Sequence, residues 1–151
     1  MRKLVLMLLV SLVLFSSIVG ENTSNYDKER SIIKTVIVDA YIKGIHVNRD
    51  PAAIRKGFHP EFNIIVLRND KITKVPLAKW IEKIESLNKE NSGASKIKTT
   101  HRFLFIDVIG NAATAKIEVY KDSKLESTNY MSLYKFKNGW KIVSKIFHWH
   151  Y

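Results

Sequence analysis

The residues that could do chemistry are few and spread along the chain. His59 lies between Phe58 and Pro60, on a rigid turn after a short helical stretch. There it could act as a general base or bond a ligand, or it could simply hold the turn. Asp107 alternates with Phe103 and Phe105 along one strand pattern. An acid on an apolar, partly buried face has a raised pKa and can serve as a base, whereas a position just before Ile109-Gly110 equally suits solvent exposure or turn capping. Tyr41 and Trp80 fall on apolar helix stripes, where each could wall a pocket and offer one polar tip, or pack as ordinary core. His148 and His150 are two apart on the closing strand and share a face, as the start of a metal site would require. No spacing supplies a third ligand, so no metal is expected. Lys145 falls on the opposite face, with Val143 and Phe147. On a concave face it would neutralise an anionic ligand; on a convex one it would be solvated or part of a dimer contact.

Other chemistries are excluded by what is missing. With no cysteine, thiolate catalysis, thiolate metal sites and a lipoprotein anchor all drop out. No Ser-His-Asp order, glycine-rich phosphate loop or nucleotide fingerprint is present, so no cofactor is expected. The net charge of +11 comes from lysines spread along every segment without a dense cluster, which points to a basic surface rather than a nucleic-acid interface.

The elements that must position these residues follow from periodicity. Ile33, Val36, Ile37, Ala40, Tyr41 and Gly44 recur at helical spacing, and His46 to Arg49 break the pattern. Asp50-Pro51 restarts a short helix as N-cap and first position, with Gly57 able to end it in a left-handed conformation. Glu61–Arg68 reads as a strand, turning at Asn69-Asp70-Lys71 onto Ile72–Val75. Pro76 opens a third helix whose stripe is Leu77, Trp80, Ile81, Ile84 and Leu87, stopped by Asn91-Ser92-Gly93. The rest is strand: 98–109, 112–121, 126–137 and 140–150, parted by Gly110-Asn111, Asp122-Ser123 and Asn138-Gly139. Helices first and a meander afterwards predict an α+β domain, with three helices packed on a strongly curved antiparallel sheet.

Those pieces, in that order, resemble small proteins of the nuclear transport factor 2-like superfamily. Tyr41-x-x-Gly44, Asp50 and Phe58-His59-Pro60 are similar to its opening. Ile106–Glu118, Thr128–Leu133 and Gly139–His148 are similar to its later strands. Within it, the chain looks most like the putative lumazine-binding group, near the SnoaL-like polyketide cyclases. The resemblance implies a cone with a pocket at its wide end, frequent dimerisation through the outer sheet face, and no particular reaction. Asn129 stands where an acidic residue is expected in that group.

Ahead of the domain, Arg2-Lys3, the apolar run from Leu4 to Phe15 and the small residues Ser16, Ser17 and Gly20 have the layout of a cleavable signal peptide. The expected organisation is therefore a signal peptide at 1–20, a flexible leader at 21–26 and the domain at 27–151. The expected location is periplasmic or secreted, with no membrane anchor after cleavage. The expected function is binding of a small molecule in an aromatic-lined cone by a homodimer, with Tyr41, His59, Trp80, His101 and Tyr130 as its lining. The alternatives are a proton-transfer enzyme (isomerase, dehydratase or cyclase) using His59 or Asp107 as base, and a protein-interaction module using the outer sheet face.

Overall fold

The computed structural model describes residues 25–90 and 95–150. The expected signal peptide, the first four leader residues and the Asn91-Ser92-Gly93 stop lie outside the described residues. Helix α1 spans 25–47 and so begins at Asn25, two residues before Asp27. Its second half, Val38–Val47, is wound as a π-helix. Helix α2 is Pro51–Gly57 and α3 is Leu77–Glu90. The strands are β1 Phe58–Arg68, β2 Lys71–Pro76, β3 Thr99–Ile109, β4 Ala112–Lys121, β5 Lys124–Phe136 and β6 Gly139–Trp149.

The start of α2 forms as its residue types dictate. Asp50 Oδ1 accepts from the amides of Ala52 and Ala53 at 2.9 and 3.2 Å, capping two donors that have no partner in the helix. Its end forms differently from expectation. Gly57 does not adopt a positive φ; Phe58 follows directly in extended conformation. Glycine is required there because a Cβ would lie 2.2 Å from Ala40 Cβ, where α2 crosses α1. Among the described residues, the glycines with positive φ are Gly110 and Gly139, both in hairpin turns.

One six-stranded sheet runs in the order β2-β1-β6-β5-β4-β3. All neighbours are antiparallel except β1 and β6, which are parallel, so the closing strand is central rather than an edge. Register shifts on β1, β3, β4 and β5 against their partners bend the sheet. The helices cover its concave face. Ile33, Ile37, Tyr41, Ile54 and Ile81 from the helices bury against Phe58, Phe62, Ile117, Met131, Leu133 and Ile142 from the strands. Glu29 pins α1 to the last hairpin, accepting from Lys135 Nζ and Trp140 Nε1 at 2.6 Å each.

Candidate functional site

Strand alternation points Ser127, Asn129, Met131 and Leu133 of β5 inward, and Lys145 and Phe147 of β6 with them. Lys145 therefore lies on the concave face, and it is buried, at 6% exposure. Its Nζ donates to Asn129 Oδ1 at 2.8 Å and to the Tyr41 hydroxyl at 3.3 Å. The Tyr41 hydroxyl donates in turn to Asn129 Oδ1 at 2.9 Å, and Asn129 Nδ2 donates to Ser127 Oγ at 3.0 Å. Three rings surround the amine, with centroids 4.4 Å (Phe147), 5.0 Å (Tyr41) and 5.6 Å (Trp80) from Nζ. Asn129 is fully buried and Tyr41 is 1% exposed.

The electrostatics follow from that enclosure. Taking the amine out of water penalises its charged form. Burial pushes Lys145 down to about 7, and the more distant Glu126 carboxylate opposes this only in part. Glu126 is itself engaged with Lys121 at 2.9 Å through Oε1, while its Oε2 is buried with no hydrogen-bond partner. His46 Nε2 is likewise buried and unpartnered. Burial, then Lys121 and Lys145, lower His46 to about 3, so its ring is neutral. Burial raises the Tyr41 phenol, which stays a protonated hydroxyl.

The π-winding of α1 brings two of these groups together. At 3.6 residues per turn, positions five apart point about 140° away from each other. A π-turn is wider and brings them onto the same side of the helix. Tyr41 and His46 meet edge to face, with centroids 4.8 Å apart. The amide of Asn48 bonds the carbonyl of Lys43, five residues back, at the end of the same segment.

Of the residues expected to line a pocket, the structure brings Tyr41 and Trp80 together, with centroids 6.1 Å apart. His101 shares the inner face, opposite Val119 in register, whereas His59 and Tyr130 lie elsewhere. His59 stacks on Phe136 at 4.7 Å, and its Nδ1 accepts the Glu61 amide at 3.2 Å, which holds the turn. His101 is half-buried, edge to face with Phe103, and burial lowers its pKa. Tyr130 follows the inward Asn129 and so faces outward, exposed, with Lys116 Nζ 5.2 Å above its ring. Asp107 does not share a face with Phe103. A bulge between Phe103 and Phe105 switches the parity of β3: Phe103 packs on the core, while Phe105 and Asp107 are exposed. His150 Nε2 bonds Thr128 Oγ1 at 2.9 Å. No group of three or more His, Asp or Glu residues placed to hold a metal occurs among the described residues.

Sequence parity leaves Lys145 undecided and says nothing of His46 as a site residue. The available clue is Asn129, a neutral residue where the resemblance calls for an acid. An aspartate there would supply Lys145 with a buried counter-charge; asparagine supplies only a neutral acceptor.

A cleft of about 260 Å³, lined by Val66, Leu67, Arg68, Phe147, His148 and Trp149, shares Phe147 with this centre. A larger one, about 440 Å³, lies between α2, α3 and the start of β1 and shares none of the centre's residues.

A family model described as "Putative lumazine-binding" matches residues 28–148. The chain belongs to that family. No curated protein matches this family member. Among solved structures, it is similar to an NTF2-like protein of unknown function from Shewanella baltica OS155. That protein is 25% identical, with TM-score 0.66, covering 83% of this chain and 97% of the other. A second NTF2-like protein of unknown function, from Methylobacillus flagellatus KT, is 22% identical, with TM-score 0.61 and coverage of 82% and 94%. A putative aromatic ring hydroxylase from Novosphingobium aromaticivorans DSM is 14% identical, with TM-score 0.57 and coverage of 82% and 90%; at that identity the likeness is one of fold. No helix among the described residues of this putative lumazine-binding family member is long and apolar enough to cross a membrane.

Proposed function

We propose that the protein binds a small, partly aromatic ligand at the Lys145–Asn129–Tyr41 centre and does not transform it. The observation that carries this reading is a lysine amine buried beneath three rings with only neutral hydrogen-bond partners. Burying such a group costs stability, and a purely structural core would be better served by an apolar residue. A ligand that bonds the amine and stacks on Trp80 or Phe147 offsets that cost. Family membership points the same way, toward small-molecule binding. Native mass spectrometry on the undenatured protein tests it. A stoichiometric extra mass is expected in the wild type and lost in Lys145→Met and Trp80→Ala. An extra mass that survives both substitutions would place the ligand elsewhere. The proton-transfer alternative has less support, because His59 stacks on Phe136, Asp107 is exposed, and neither contacts this centre. His59→Gln should leave ligand retention unchanged.

Two further expectations belong to this proposal. The outer face of the sheet carries a directly cross-paired row, Phe105, Lys116, Tyr130 and Ile146, in which Phe105, Tyr130 and Ile146 are 45%, 39% and 50% exposed. A second copy covering that row would make the homodimer. Tyr130→Asp should then halve the mass measured by light scattering, and an unchanged mass would reject the surface. Residues 1–20 direct export to the periplasm or medium, with the domain following the leader. An exported chain beginning near residue 21 on N-terminal sequencing is expected, and an intact chain retained inside the cell would reject it.

A further inference from the structure

The parallel ladder between β1 and β6 stops at Lys145: its last paired residues are Ile64 and Lys145. Beyond that point Val66–Arg68 and Phe147–Trp149 line the cleft of about 260 Å³. Lys145 thus stands at the crotch of a fork between two strands. The Phe147 ring separates its amine from the cleft, with the centroid 4.4 Å from Nζ, and Phe147 is itself only partly buried.

We infer that this fork is the route to Lys145 and that its amine forms a reversible imine with a small aromatic aldehyde. The inference rests on the ligand site proposed above and adds its chemistry. The neutral amine adds its lone pair to the carbonyl carbon, forming the C–N bond. A first proton passes from nitrogen to the former carbonyl oxygen, giving the carbinolamine; that oxygen then takes up a second proton. The C–O bond breaks and water departs as the C=N bond forms, and nitrogen gives up its remaining proton, leaving the imine; no oxidant or reductant is consumed. Three features of the centre suit these steps. No carboxylate pairs with Lys145 among the described residues, so nothing holds it as a salt-bridged ammonium. The Tyr41 hydroxyl, 3.3 Å from Nζ, is a protonated donor and acceptor beside the reacting nitrogen. The rings of Tyr41, Trp80 and Phe147 keep bulk water from the imine and match an aromatic substituent. The charged or titratable groups nearest the amine are Tyr41 and His46 from α1, with Glu126 from β5 acting from farther away; Lys121 from β4 bears on His46 and pairs with Glu126.

Treating the protein at pH 7 with benzaldehyde and cyanoborohydride tests this, because the reductant converts any imine to a stable benzylamine read by peptide mapping. An ordinary lysine at that pH is only about one part in a few thousand free amine, against roughly half for Lys145. Lys145 is therefore expected to be labelled at least about tenfold faster than any other lysine, to one lysine adduct per chain, counted apart from any adduct on the α-amine. Leu67→Trp, which narrows the fork, is expected to slow Lys145 labelling about tenfold without changing the surface lysines. Adducts on surface lysines with Lys145 unmodified would overturn the inference, as would a rate at Lys145 indifferent to Leu67→Trp. Benzyl alcohol, which cannot form an imine, separates the two levels through tryptophan fluorescence. Saturable binding of the alcohol with no Lys145 adduct from the aldehyde would sink the imine alone; no saturable binding and no adduct would sink the ligand site with it.

Discussion

Replacing Lys145 by methionine tests the physical account of the centre most directly. Methionine keeps the length and the apolar stem but cannot carry charge. In the native protein burial holds Lys145 at about 7, against 10.5 for the unfolded chain. Between those values the unfolded state binds more protons than the native state, so stability must rise with pH. The penalty for burying the charge is fully present below pH 7 and disappears as pH climbs toward 10.5. Each tenfold change in a protonation equilibrium is worth about 1.4 kcal/mol, so the full penalty is on the order of 5 kcal/mol. Integrated from pH 7 to pH 9, the wild type should gain about 2 kcal/mol from this one group. Urea unfolding of wild type and Lys145→Met across that range is the assay. Every other lysine is common to both proteins and cancels in the difference. The stability gap between variant and wild type should move by about 2 kcal/mol in favour of the wild type as pH rises. Parallel profiles would refute the reasoning, since they would mean that Lys145 is solvated or ion-paired in the folded protein.

Asn129→Asp should restore a counter-charge 2.8 Å from Nζ, raise the Lys145 pKa and move the pH-dependent gain to higher pH; the same unfolding series reads it, and an unchanged window would count against the contact. The same substitution should abolish benzaldehyde labelling of Lys145 at pH 7 by holding the amine as ammonium. Gly57→Ala forces a methyl to within 2.2 Å of Ala40 Cβ and should cost about 1–3 kcal/mol in thermal or urea unfolding; the double variant Ala40→Gly/Gly57→Ala should recover part of the loss. Trp140→Phe removes the donor to Glu29 Oε2 and should cost about 1–3 kcal/mol, with near-ultraviolet circular dichroism showing whether α1 stays docked.

How much was legible in advance differs element by element. Asp50-Pro51 announced α2 and Asn138-Gly139 announced the last hairpin, because capping and positive-φ turns are local events decided by a few neighbouring residues. The stripe from Ile33 to Gly44 gave the buried face of α1, since period is also local. What a sequence window does not contain is the partner across the sheet. The parallel pairing of β1 with β6 joins Ile64 to Lys145 across most of the chain, and only that pairing creates the fork. The bulge in β3 is a register shift against β4, and it alone sends Asp107 outward while Phe103 stays inside. The π-winding of α1, which turns His46 onto Tyr41, leaves the spacing of apolar residues almost unchanged and so left no periodic signal. The sequence by itself determined the α+β class, the order of elements and the neutrality of position 129. Tertiary structure decided that Lys145 faces inward, because a strand's two faces are equivalent until the helices choose which one to cover.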